Sequence, residues 1–469
     1  MKTGASRTRV AQAVTVVLVA GVWWAAPPEG LSVQAWRLFA LFAGAIFSVV
    51  VSALPILTAS VLAVALAVLT GLLQPADAYA GFGNGTILLI VVAFLVAGSV
   101  VKCGLGARGG HWIVSWFGRS TLGLSYSIFL LDAVIAPAFP SNTARSGVLY
   151  PLAYSLANAA GATPDRPDRR RVGAFLMFSG IASLSVSSAL WLTAMAANPL
   201  GTEMARGLGV EIGFGRWLLA ASVPTLCAMA ILPLVLYRVI GPEVRRTPEA
   251  PAAARQALAA LGPLSRQEWI VAVVFLGMVA LWGSAASLGL DSTAIAFLGL
   301  GALLATGVIT LDDIARQGDV LATFIWFAVL FTLSSQLNEL GFMGFLGRKL
   351  AAALGGLATP TAGLVLVAAY ILLHYLFVSQ TAHLLALFGV FLDVGVKLGV
   401  NPVILAFQLL FATNYFSAIT PQGSSANLLF AGSGYLTQGD LYRLGAITTG
   451  VSVAIYFVVG TGWLALVAR

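Results

Sequence analysis

The residue types able to do chemistry gather in two short stretches, FPSNTARSG at 139–147 and FVSQTAHLL at 377–385. The first offers the hydroxyls and carboxamide of Ser141, Asn142 and Thr143, and the second offers those of Ser379, Gln380 and Thr381. Donors of this kind, at a helix start whose backbone N–H groups also point outward, suit an oxyanion, above all a carboxylate. Two matched stretches suit a dicarboxylate, gripped at each end. A basic group follows each leading serine by four residues, Arg145 after Ser141 and His383 after Ser379. On a helix this places the cation one turn behind the donors, where it supplies charge compensation. A fixed cation cannot leave with its cargo, so an empty carrier would reorient poorly, which favours obligatory exchange of one anion for another.

Other chemistries find little support. The chain has no HExxH or GxSxG, only three histidines, and no pair of carboxylates at helical spacing within its apolar regions. An intramembrane enzyme is therefore the weaker alternative, and a channel suits two blind polar stretches less well than alternating access does. Asp132 is the one acid in the arm before the first stretch, placed to relay protons or to pair with a nearby base. Cys103 and Cys227 have no CxxC partner and read as small buried side chains, so no metal or other cofactor is expected. His111 and His374 read as structural.

The elements that must position these groups are membrane helices. Of the residues 59% are apolar and 9% charged, and apolar runs long enough to cross a bilayer recur from end to end. The predicted fold is all-α and polytopic, with eleven spans near 11–26, 35–53, 56–73, 86–102, 172–200, 216–240, 268–288, 292–310, 320–339, 402–432 and 444–467. The first is read as an uncleaved span with Trp23 and Trp24 at the interface. Two further apolar regions, 124–160 and 362–396, are interrupted halfway by the polar stretches. Their arms look too short to span, which makes them re-entrant hairpins whose tips face an internal wet site.

The tips lie 238 residues apart. Thr70-Gly71 and Thr306-Gly307 lie 236 apart, and Gly104-Leu105 and Gly341-Phe342 lie 237 apart. One offset sustained over such a length indicates an internal duplication. The division is an N-terminal span at 1–34, a first repeat at 35–240, a linker at 241–267 rich in Pro, Ala and Arg, and a second repeat at 268–469. Five spans per repeat, an odd number, force the copies into opposite orientation, the pattern of a secondary transporter. Each repeat also has a polar break after its hairpin, SSALWLTAMAANPLG at 187–201 and SAITPQGSSANLLFAGSG at 417–434. Thr193 and Asn198 in the first break, with Pro421, Ser424 and Asn427 in the second, are candidate substrate contacts.

Charge fixes the orientation. With the N-terminus inside, all but seven of the 25 Lys and Arg residues fall on the cytoplasmic side, as the positive-inside tendency requires. The run DRPDRRR at 165–171, with Arg166 and Arg169, reads as a loop anchor. The formal net charge of +8 then needs no nucleic acid partner. The expected setting is a bacterial-type inner membrane, with lipid and a small carboxylate as partners.

At PSNTARSG, LTAMAANPL and SQTAH the chain resembles the divalent anion:sodium symporter family, and most closely its exchanger branch of citrate/succinate and 2-oxoglutarate/malate antiporters. The resemblance covers nearly the whole length. It implies that Ser141, Asn142, Thr143, Ser379, Gln380 and Thr381 hold substrate carboxylates. It also implies a homodimer with an elevator motion, in which hairpins and broken helices move past a scaffold. Gln380 stands where the family motif has Asn. Pro137 and Tyr375 occupy positions where sodium-coupled members tend to place a small hydroxyl residue, which weakens a sodium-coupled reading. Sodium as a coupling ion near Asn142 and Gln380, in a dicarboxylate symporter, is the alternative.

Overall fold

The computed structural model describes residues 2–164, 170–377 and 379–467, with side chains from residue 7 onward. Arg166 and Arg169 of the expected loop anchor lie outside the described residues. Among the described residues the chain is helical without strands, as a lipid-embedded chain must be when each backbone polar group has to be satisfied within its own segment. Among the described residues, nine helices are long and apolar enough to cross a membrane: Val33–Val50, Gly85–Cys103, Thr121–Ala138, Arg170–Leu190, Phe214–Ile240, Arg266–Leu288, Gly318–Glu339, Thr359–Leu376 and Gln438–Val467. Three of the expected spans are shorter apolar helices, Ile56–Leu69, Ser292–Ala305 and Pro402–Ala418.

The outgoing hairpin arms are longer than the sequence reading made them. Each first arm runs 15 residues as α-helix, Thr121–Ile135 and Thr359–Leu373, and continues through a 3-10 turn, Ala136–Ala138 and His374–Leu376. Together these reach 18 residues, a length that suffices to span. Hydropathy missed this because proline or a polar residue ends the apolar run while the helix, tightened into a 3-10 turn, goes on. The returning arms, Asn142–Ala159 and Gln380–Lys397, pack against their outgoing partners.

The described chain compacts into two units that cut across the sequence repeats. One is built from residues 1–91, 200–211 and 315–409, and the other from 92–199, 212–314 and 410–469. The first contains the second hairpin, packed against Gly318–Glu339 and Phe342–Leu354. The second contains the first hairpin, the first break as far as Pro199, the second break, and the Arg170–Leu190 helix, which is buried from Val172 onward and against which the two arms of that hairpin pack.

The duplication persists in local backbone. Gly71 and Gly307 both sit at φ 71°, and Gly104 and Gly341 at 79° and 82°, a left-handed conformation that glycine alone adopts without strain. Before the first pair, the Thr70 and Thr306 hydroxyls donate to the carbonyls four residues back, at 2.6 and 2.7 Å.

The 241–267 linker is more ordered than its composition suggested. Ala250–Leu261 forms a helix against Leu105–Phe117. Arg108 clamps the turn between this helix and Arg266–Leu288, donating to Gly262 O at 2.8 Å and to Glu268 at 2.6 Å. Cys103 and Cys227 are free and half-buried rather than fully buried.

The ammonium of Lys102, in the last turn of Gly85–Cys103, lies 2.6 Å from the carboxylate of Asp313 in the short helix Leu311–Ala315. With the Thr310 hydroxyl and N–H it holds that carboxyl down to about 2. A carboxyl depressed in the folded state contributes its stability above the unfolded value, near 4, and loses it as pH falls toward 2. The contact is solvent-screened and its effect small. Melting temperature followed from pH 6 to pH 3 should fall less steeply for Asp313→Asn than for the parent.

Candidate anion-binding site

The tips are built by the same local instructions. After each 3-10 turn one phenylalanine is extended, Phe139 and Phe377, and the following serine caps the returning arm. Ser141 has φ −142° and ψ 121°, and Ser379 has φ −143° and ψ 126°. Each serine Oγ accepts from the N–H three residues on, Ala144 at 3.2 Å and Ala382 at 3.3 Å. In the first tip Pro140 forces Phe139 out of the helical region, which makes the turn sharp. Capping leaves the remaining first-turn N–H groups and the helix dipole to face an anion. Asn142, Gln380 and Thr381 are largely buried, Ser141 and Ser379 half-buried, and Thr143 exposed.

The breaks repeat each other still more closely. In the first, Trp191 is extended, Leu192–Ala194 make a 3-10 turn, Met195 is extended and a helix restarts at Ala197. In the second, Thr420, Pro421–Gly423, Ser424 and Ser425–Ala431 do the same. The Asn198 amide donates to Ser188 O at 2.8 Å and Trp191 O at 3.2 Å, and the Asn427 amide donates to Ser417 O at 2.8 Å and Thr420 O at 3.1 Å. All three positions recur at one offset of 229, so both bonds do. These asparagines, expected as substrate contacts, therefore pin the carbonyls that the broken helices leave unpaired. Asn198 also accepts from Asn414 at 3.0 Å. Thr193 is likewise a brace, its hydroxyl donating to Pro137 O at 2.9 Å, while Trp191 donates to Ala133 O and Ala196 N–H to Pro140 O. The first break thus laces the carbonyls at the end of the outgoing arm.

The second break meets the first tip directly. The hydroxyls of Thr143 and Ser425 lie 2.6 Å apart and both residues are exposed, with Ser424 buried and Pro421 half-buried alongside. Ser425 was missed from sequence, although it stands beside Ser424 in the run GSSAN. The break is held close to Gln438–Ile455 at Gly445, where a Cβ would overlap the backbone at Ala418 and Ile419. Gly445→Ala should therefore cost about 1–3 kcal/mol of stability, read as a lowered melting temperature, because backbone cannot yield as a side chain can.

Arg145 departs from expectation. It is fully buried, with its guanidinium 2.9 Å from Asp132 and 2.8 Å from the Ser187 hydroxyl. Ser187 in turn donates to the other Asp132 oxygen. A lone guanidinium at this depth would be costly, and pairing with the acid on the outgoing arm offsets part of that cost. The cluster has no net charge, so Arg145 is not the unbalanced cation predicted. The pairing reading of Asp132 is the one the geometry supports. His383, at the same repeat position, is also fully buried, but its ring packs 4.3 Å from Tyr370, 5.1 Å from Phe377 and 5.4 Å from His374. The second tip, with Ser379, Gln380, Thr381 and His383, belongs to the other compact unit.

Residues 7–468 match the transmembrane region of sodium:sulfate symporters. The chain belongs to that family, the divalent anion:sodium symporters. Among its relatives in the family is YflS of Bacillus subtilis, a protein whose name proposes malate transport, 38% identical over 96% of this chain and 95% of its own. The chloroplast dicarboxylate transporter 2 of spinach is 38% identical over 93% of this chain and 78% of its own. The crystal structure of the YdaH transporter of Alcanivorax borkumensis superposes with a TM-score of 0.59 at 16% identity, covering 98% of this chain and 97% of that one, a likeness of fold. Membership in this family makes the chain a multi-pass membrane transporter, and the enzyme alternative falls away.

Proposed function

We propose that this chain carries dicarboxylate or tricarboxylate anions across the membrane by exchanging one for another. The observation that carries the reading is the pair of serine-capped tips with one backbone conformation, 238 residues apart. Each tip is proposed to hold a carboxylate, the first through Ser141, Asn142 and Thr143 with Ser425 and Ser424, and the second through Ser379, Gln380 and Thr381. The names of the spinach and Bacillus relatives favour a four-carbon dicarboxylate, with 2-oxoglutarate and citrate as close chemical kin.

Exchange has a different physical basis from the one expected, since Arg145 is neutralised. The exchange reading rests instead on Pro137 and Tyr375, which stand where sodium-coupled members of the family tend to place a small hydroxyl residue. Sodium-coupled symport is the second reading, favoured by the sodium in the family's description. The working unit is proposed to be a homodimer in the cytoplasmic membrane, N-terminus inside, with an elevator motion.

Uptake of a labelled C4-dicarboxylate into proteoliposomes tests the reading. Exchange requires unlabelled anion inside and no sodium. Sodium-driven uptake into empty vesicles would establish symport instead.

A further inference from the structure

We propose that Asp132 and Ser187 are positioning residues that act through Arg145 on the carboxamide of Asn142. The inference rests on the reading of the first tip as a carboxylate site, and extends it to the side chains behind that tip.

An arginine guanidinium carries five N–H donors in a rigid planar fork and no acceptor. One branch is committed: Nη1 donates to Asp132 Oδ1 at 2.9 Å and to Ser187 Oγ at 2.8 Å. The other, Nη2, lies 2.5 Å from the Asn142 side chain. Because the guanidinium only donates, the atom facing it must be the amide oxygen, Oδ1. The Asn142 NH2 is then turned the opposite way, where it lies 3.7 Å from the Met195 sulfur, a weak acceptor. Left to itself an asparagine amide could face the ligand with either end, and a carboxylate can be bound only by the NH2. The cluster therefore decides which end is offered.

Asp132 and Ser187 hold the fork in place. The two oxygens of Asp132 accept from Arg145 and Ser187, and Arg145, Asp132 and Ser187 are all fully buried. The three anchors come from three helices: the outgoing arm, the returning arm and Arg170–Leu190. The second tip has a ring, His383, at the corresponding position, so this device belongs to one tip only.

The test uses purified full-length protein in proteoliposomes, with half-saturation concentration and maximal rate of C4-dicarboxylate exchange measured separately. Asn142→Ala, Arg145→Lys, Ser187→Ala and the doubles with Asn142→Ala are compared. Arg145→Lys keeps the charge pair with Asp132 but lacks the fork. Ser187→Ala removes one anchor without touching charge, and it carries the test if Arg145→Lys does not elute as a monodisperse protein. Both are expected to raise half-saturation about tenfold or less, toward the Asn142→Ala value, with maximal rate little changed. In the Asn142→Ala background neither should add a further loss. Parent half-saturation in Arg145→Lys and Ser187→Ala, or losses that add to that of Asn142→Ala, would overturn the proposal. An unaffected Asn142→Ala would instead sink the reading of the tip on which the proposal stands.

Discussion

Arg145→Ala is expected to destabilise the protein by about 3–5 kcal/mol, more than a typical surface substitution by a wide margin. The reason is the partner left behind. Asp132 is fully buried, and without the guanidinium its carboxylate keeps the Ser187 hydroxyl but loses its ion-pair partner. Asp132→Ala orphans the opposite charge and should cost about as much. The double substitution, which leaves no unpaired charge, should recover much of the loss and retain only the cost of the vacated space. Thermal melting in detergent reads all three. A stable Arg145→Ala protein would mean that the buried pair does not form.

Asn427→Leu and Asn198→Leu are the second pair of large effects. Each asparagine caps two carbonyls at a helix break, Ser417 and Thr420 in one case and Ser188 and Trp191 in the other. An orphaned buried carbonyl costs about 1–3 kcal/mol, so each site stands to lose about 2–6 kcal/mol. At membrane depth, water is not at hand to take the amide's place. Asn198→Leu also strips the acceptor from Asn414 and should be the worse of the two. The measurement is the same melting series, with Gln as the conservative control. Equal melting of Asn427→Leu and parent would show that the break is held by its turn alone.

The tips could be found from sequence because polar residues interrupting an apolar run are conspicuous, and the repeat offset made each support the other. The breaks could be found for the same reason. What sequence did not distinguish was which polar residues face a ligand and which repair the backbone. Asn198 and Asn427 look like ligand contacts until their carbonyl partners are seen, and Asn414 gave no signal within its apolar run. The pairing of Arg145 with Asp132 spans 13 residues, a separation that helical spacing never brings together and only a hairpin does. The linker helix was masked by its prolines, although the Ala-rich core of Ala250–Leu261 favours helix once Pro251 is placed in the first turn.

That each tip binds a carboxylate is the central claim, and it is tested most directly by equilibrium binding of a labelled C4-dicarboxylate to purified protein carrying Asn142→Ala or Gln380→Ala. Losing a hydrogen bond to a charged carboxylate should weaken binding about tenfold or more in either variant. Parent-like affinity in one of them, with the other impaired, would show that a single tip does the binding and would contradict the claim.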